Sequence, residues 1–301
     1  MNPEGACPRY LRTMVIAVMA AGVFLSGCGV KPVGEALKRE ENPEEETFEW
    51  FYSSFDDSGK AAYDAFRSAA EKPFDPEPAA IESAEGGQVQ IPVPELDKVY
   101  QGFLYDHPEL FWLSSSYSYR ESGGSDAGEL ADAVSVIPIP QSAQELERQV
   151  REFESEADKI LDRAAGAERD RERARALYDC LVSETEYTEE ALYDSAMKQE
   201  HTAFGAVVNK KAVCDGIALA YKYLLDRCGI RCIPIPGNSE GAPHVWNTVF
   251  WDGGWHECDP TWDTVSGEYE SGQYFDLTTE EMDKDHLREE EGIALLIPRA
   301  H

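Results

Sequence analysis

Basic residues are scarce in this chain. Lys and Arg number 27 against 58 Asp and Glu over 301 residues, which leaves a formal net charge of −31 at pH 7. Binding to nucleic acid or an anionic surface is carried by cations set against phosphates. So acidic a balance excludes nucleic acid as the expected partner. It suits neutral or cationic ligands such as lysine-bearing peptides, and serves solubility equally well. Long apolar runs are also missing: none reaches the roughly 18–20 residues a helix needs to span a bilayer. There is no internal repeat, no glycine-rich phosphate loop of either common pattern and no calcium loop with its regular acidic spacing. No cofactor and no metal is expected.

One shorter apolar stretch stands near the N-terminus. Met14 to Leu25 is uninterrupted, follows Arg9 and Arg12, and runs into Leu25-Ser26-Gly27-Cys28. The length suits a signal h-region rather than a membrane span. The tetrapeptide resembles a bacterial lipoprotein signal, in which cleavage precedes the cysteine and its thiol carries lipid. Residues 1–27 are read as that signal, Cys28 as the lipidation site, and 28–46, with Glu40-Glu41-Asn42-Pro43-Glu44-Glu45-Glu46, as an acidic solvated tether. The expected location is exported and lipid-anchored, facing outward.

Seven cysteines are present. Cys7 leaves with the signal, and Cys180, Cys228, Cys232 and Cys258 are open to disulfide pairing outside the cytoplasm, Cys228 with Cys232 across Gly229 being one option. Cys228, Cys232, His256 and Cys258 match no common zinc spacing. Cys214 differs in context. It stands at Lys211-Ala212-Val213-Cys214-Asp215-Gly216, directly before the apolar run Ile217 to Leu225. That places its thiol at a helix N-terminus, where unpaired N–H groups and the helix dipole favour a thiolate.

His244 to Trp251 is a β-rich run, Asp252-Gly253-Gly254 a turn, and Trp255-His256-Glu257-Cys258-Asp259 a return strand stopped by Pro260. With a two-residue loop, opposed positions sum to an odd number and Asp259 shares a face with His244. A three-residue loop puts them on opposite faces unless a bulge intervenes. A nucleophile, a base and an orienting acid working together require the two-residue loop.

The segments Ala206 to Gly216, His244-Val245-Trp246-Asn247 and Trp255 to Asp263 resemble, in order and spacing, the core of the transglutaminase-like superfamily. The resemblance implies Cys214 as nucleophile, His244 as general base and acid, and Asp259 as the group that orients the imidazole. It implies an α+β, papain-like core over 141–301, with the nucleophile helix packed on an antiparallel sheet. Residues 47–140 are read as a helical accessory region with a hairpin. A similar region, including the segment His107-Pro108-Glu109-Leu110-Phe111-Trp112, accompanies the core in bacterial members. His107 is given no catalytic role, since the core has its own histidine.

The residues themselves indicate the elements. Phe51, Phe55, Tyr63 and Phe66 recur at helical spacing, with Gly59 as the weak point. Residues 73–95 read as an extended loop, Leu96 to Tyr105 as a helix ended by His107-Pro108, and Tyr117–Arg120 with Ala133–Ile137 as a strand pair. Ser142, three residues before Glu145, predicts a capping box opening a helix over 141–163. Ala174, Leu177, Tyr178 and Leu181 stripe a second helix. Ile230–Pro236 reads as a buried strand, Tyr274–Leu277 as an edge strand and Thr278 as an N-cap.

The expected chemistry is acyl transfer at a peptide or protein amide, with hydrolysis favoured. The backbone N–H of Cys214 is the first oxyanion donor and Asn209 a guess for a second. Cross-linking of Gln to Lys, hydrolysis of glycan-linked amides, and a catalytically silent cleft that binds peptides or glycans are the alternatives. Trp246 and Trp255 are read as sheet packing rather than as cleft walls.

Overall fold

The computed structural model describes residues 48–125, 128–265 and 272–301. The signal, Cys28 and the acidic tether lie outside them. No described helix is long and apolar enough to cross a membrane.

The accessory region opens with α1 (Trp50–Ser54) and α2 (Asp57–Ala70). The helical run expected to weaken at Gly59 breaks earlier. Phe55 turns extended and Asp56 caps α2, its carboxylate accepting from the Gly59 N–H at 2.8 Å. Gly59 serves packing instead, since a Cβ there would sit 2.9 Å from that of Phe55. The proline-rich loop holds two short strands, β1 (Ala79–Ala80) and β2 (Ile91–Pro92), followed by α3 (Val93–Asp106), which ends at His107. β3 (Leu113–Ser125) and β4 (Gly128–Pro138) form the expected hairpin, and β1 and β2 pair with the far edge of β4.

α4 (Ala143–Ala164) and α5 (Asp170–Glu184) follow. Ser142 caps α4 through the Glu145 N–H, but Glu145 reaches back to the N–H of Gln141, one residue before its expected partner. Two further short strands, β5 (Glu186–Tyr187) and β6 (Lys211–Ala212), pair in parallel and lead into α6 (Cys214–Asp226). α6 packs on an antiparallel sheet of order β10-β7-β8-β9, built from β7 (Cys232–Ser239), β8 (Ala242–Trp251), β9 (Gly254–Cys258) and β10 (His286–Arg288). The short helices α7 (Pro260–Val265) and α8 (Thr279–Met282) flank β9, and α8 carries the complete capping box of Thr278 and Glu281. Tyr274–Leu277 is not a full strand. It meets the edge of β9 through one bridge, Glu257 to Leu277.

One hydrophobic core joins the accessory region to the sheet-bearing half. Phe111, from the His-Pro-Glu-Leu-Phe-Trp segment, is the wedge, its ring 4.5 Å from Phe153 of α4 and 5.0 Å from Phe204. Phe153 in turn lies 4.6 Å from Tyr223 of α6. Helices packed against antiparallel sheets make this the expected α+β fold.

Candidate active site

The hairpin carrying His244 and Asp259 has the two-residue loop. Trp251 opposes Gly254, Asn247 opposes Cys258, and Asp252 and Gly253 have φ of 50° and 84°. Both central residues are left-handed, as the turn that matches strand twist requires. Opposed numbers sum to an odd value, so Asp259 falls on the face of His244. The Nε2–H of His244 donates to Asp259 Oδ2 at 2.7 Å. That bond leaves Nδ1 as the nitrogen able to take a proton.

Asp259 is held from its other side. Pro260 does more than stop the strand, because it opens α7 and makes Asp259 the cap. Oδ1 accepts from the N–H groups of Thr261 at 2.8 Å and Trp262 at 3.4 Å. The backbone N–H of Asp259 donates to Tyr274 O at 2.8 Å. The residue is fully buried. Burial alone would raise its pKa, but His244 and then His286 outweigh it and hold the carboxyl well below the usual range.

Cys214 is the first residue of α6, after an extended Val213. Its thiol takes the N–H groups of Val245, next to His244, and of Asp215. Gly216, two residues on, admits the 200–202 segment against the helix start: a Cβ there would meet Glu200 O at 2.3 Å. The expected thiolate is not what these surroundings favour. The thiol is only 7% exposed. Burial first, then the Asp215 carboxylate, push it up to about 12 against the pull of the two N–H groups. At neutral pH the resting group is therefore a thiol, and it needs a base.

The sequence reading missed two histidines. His286, on β10, is fully buried and donates from Nε2 to the same Asp259 Oδ2 at 3.0 Å. His201 lies 2.9 Å through Nδ1 from Oδ2 of Asp215, the neighbour of the nucleophile, and 3.1 Å through Nε2 from Ala191 O. The Asp215 bond raises the His201 pKa to about 9. A raised value means that the cation supports the folded state fully below the unfolded pKa, and that this support is lost as pH rises through about 9. An NMR titration should find His201 charged at pH 7 and titrating near pH 9, with Asp215→Asn bringing it back toward ~6.5.

The remaining residues singled out in the sequence divide between expected and unexpected places. Asn209 is exposed and its amide donates to Gln199 Oε1 at 3.3 Å, so it is no oxyanion donor in this arrangement. The phenols of Tyr105 and Tyr187 are raised by burial and further by the charges of Asp215 and Cys214, which sets both near the thiol. No disulfide joins Cys228 to Cys232. His256 turns to Asp276 at 2.7 Å and stacks on Trp251, away from any thiol cluster. Trp246 is fully buried and donates to Glu257 at 2.7 Å, which is sheet packing beneath His244. Trp255 packs with Phe250, Trp50 and Phe48. His107 binds Glu109 at 2.8 Å and packs on Phe103. His244, Asp259 and His286 have their ligand-type atoms within 4.8 Å of one another, close enough to surround a cation. The hydrogen bonds of both imidazoles to one carboxylate oxygen account for that spacing.

Residues 158–260 match the transglutaminase-like superfamily. This segment is a transglutaminase-like domain. It contains Cys214, His244 and Asp259 and ends just after the last of them. The chain is similar to the kyphoscoliosis peptidase of Mus musculus, 28% identical over 165 residues, covering 48% of this chain and 24% of the relative. The human protein of the same name is 27% identical over 177 residues, covering 50% and 26%. The chain thus spans about a quarter of the length of these relatives. A crystal structure of a TGase superposes with a TM-score of 0.37 at 16% identity, over 55% of this chain and 48% of that one. His286 lies outside the transglutaminase-like segment.

Proposed function

We propose that the protein is a thiol acyl-transfer enzyme that hydrolyses peptide amide bonds, exported and tethered through Cys28. The observation that carries the enzymatic part is the placing of the Cys214 thiol at a helix N-terminus, against the N–H that follows a histidine bound to a buried carboxylate.

With Nε2 fixed on Asp259, His244 Nδ1 takes the proton of Cys214 as Sγ attacks the scissile carbonyl carbon. The resulting oxyanion meets the backbone N–H of Cys214, one of the helix-start donors that no carbonyl of the helix can take. Collapse breaks the C–N bond, and His244 returns the proton to the leaving amine. Water, deprotonated by the same imidazole, then cleaves the thioester. Peptidase chemistry is favoured over cross-linking because the relatives named above are peptidases by name. The tether rests on Leu25-Ser26-Gly27-Cys28 and the acidic stretch behind it. The acidic surface suits neutral or cationic peptides over anionic ones.

Alkylation of the signal-free protein with iodoacetamide, read residue by residue from pH 4 to 9, tests the thiol–imidazole pair. Cys214 should react in a His244-dependent way, slowing at least about tenfold at pH 7 in His244→Ala. Cys180 should be indifferent to that change. Equal behaviour of the two cysteines would leave a silent binding cleft as the better reading.

A further inference from the structure

We propose that His286 is a positioning residue of this site, holding the Asp259 carboxylate beside His244 from a strand beyond the transglutaminase-like segment. The inference rests on the reading of Cys214, His244 and Asp259 as the reacting group.

Both nitrogens of His286 face carboxylate oxygens, Nε2 at 3.0 Å from Asp259 Oδ2 and Nδ1 at 2.6 Å from Asp285 Oδ1. A neutral ring would turn a lone pair toward one of them, so the geometry requires the imidazolium. Burial opposes that charge, and the bonds and charges of Asp259 and Asp285 overcome it, leaving the pKa raised. The groups that face the ring are His244 from β8, Asp259 from the end of β9, Asp285 on its own segment, and Tyr274, whose hydroxyl donates to Asp285 Oδ2 at 2.8 Å. The rings of Trp246 and Trp262 close the rest, at 5.1 and 5.0 Å.

Four donors thereby fix Asp259: two imidazoles on Oδ2 and two backbone N–H groups on Oδ1. The carboxylate cannot rotate away from His244, and part of its charge is answered by the His286 imidazolium. The strand that delivers His286 has a prepared seat. A Cβ at Gly237 of β7 would meet Leu287 O at 2.4 Å and the Trp246 ring at 2.6 Å, so only glycine admits β10 here. Arg288 then ties β10 to the buried Glu257 at 2.6 Å. A buried ionic group of this kind is costly beside an apolar filling. Fixing the plane and charge of Asp259 gives that cost a function.

The test is the pH profile of Cys214 alkylation by iodoacetamide in the full-length protein without its signal. His286→Gln keeps a donor for Asp259 but removes the positive charge. The less compensated Asp259 then holds the His244 imidazolium more tightly, and the acid limb should move up by about one pH unit. Asp285→Asn, at a side chain one-third exposed, removes a negative charge while its amide oxygen still accepts from His286. Its limb should move the other way, by a few tenths of a unit. A merely structural His286 would change melting temperature and leave both limbs in place. Unmoved limbs in both variants overturn the proposal, and an unmoved limb in Asp285→Asn alone does so if His286→Gln does not fold. A profile that is indifferent to His244→Ala as well overturns the reading beneath it.

Discussion

On the proposed hydrolase reading, replacing Cys214 by alanine should remove amide hydrolysis by on the order of 10⁴-fold or more in kcat, while the fold remains. The thiol is the one group in the site able to form the acyl-enzyme. What remains is the helix-start N–H and substrate binding, which act only on an attack that no longer occurs. The structural cost is small, because the change deletes one sulfur at the edge of the core, worth about 1 kcal/mol. The measurement is turnover of a fluorogenic peptide amide that the natural protein cleaves, alongside thermal unfolding. Undiminished turnover in the alanine variant would place the reaction elsewhere. Serine should do little better: its hydroxyl is far less acidic than a thiol that burial already holds near 12.

Asp259→Asn should lose both activity and stability. Every accepting position of this carboxylate is taken by a donor. An amide presents one oxygen and one NH₂, so its nitrogen must face either the two imidazoles or the two N–H groups of Thr261 and Trp262. Either way buried donors are opposed, at roughly 2–4 kcal/mol. An imidazole left in the wrong orientation or tautomer costs about 10³–10⁴-fold in kcat. The pH dependence follows from linkage. The folded-state pKa of Asp259 is depressed, so its stabilisation is present above the unfolded value near ~3.9 and is lost as pH falls toward the folded one. Urea unfolding from about pH 5 down to about pH 2 should show a steep decline for the natural protein and a shallower one for the variant. Equal slopes would mean that Asp259 is not a source of the acid sensitivity.

What the sequence made legible was local. Cys214 stands before an apolar run, Asp252-Gly253 is a turn that fixes register by parity, and the positions of His244 and Asp259 follow from counting. The resting state of the thiol was not legible, because burial depends on what the rest of the chain lays over it. His286 was hidden for a related reason. It sits in a three-residue strand without periodicity, and only the crossing of β10 to the free edge of β7 carries it to Asp259. One local signal existed. Gly237 inside a strand marks a close approach of backbone, and that approach is β10. His201 likewise depends on a loop folding back beside Asp215. The misplaced break between α1 and α2 has the opposite lesson: Asp56 was a visible cap signal, and the glycine drew attention from it.

The far reach of β10 bears on the order of events in folding. The thiol, the base and the orienting acid lie between residues 214 and 259, and the partner that completes the carboxylate arrives with residues 286–288. Contacts across such sequence distances form late, after the chain has met the entropy of closing the intervening loops. Until β10 docks, Asp259 lacks one of its donors. The carboxylate beside His244 thus gains its full set of donors only through a strand that lies outside the transglutaminase-like segment.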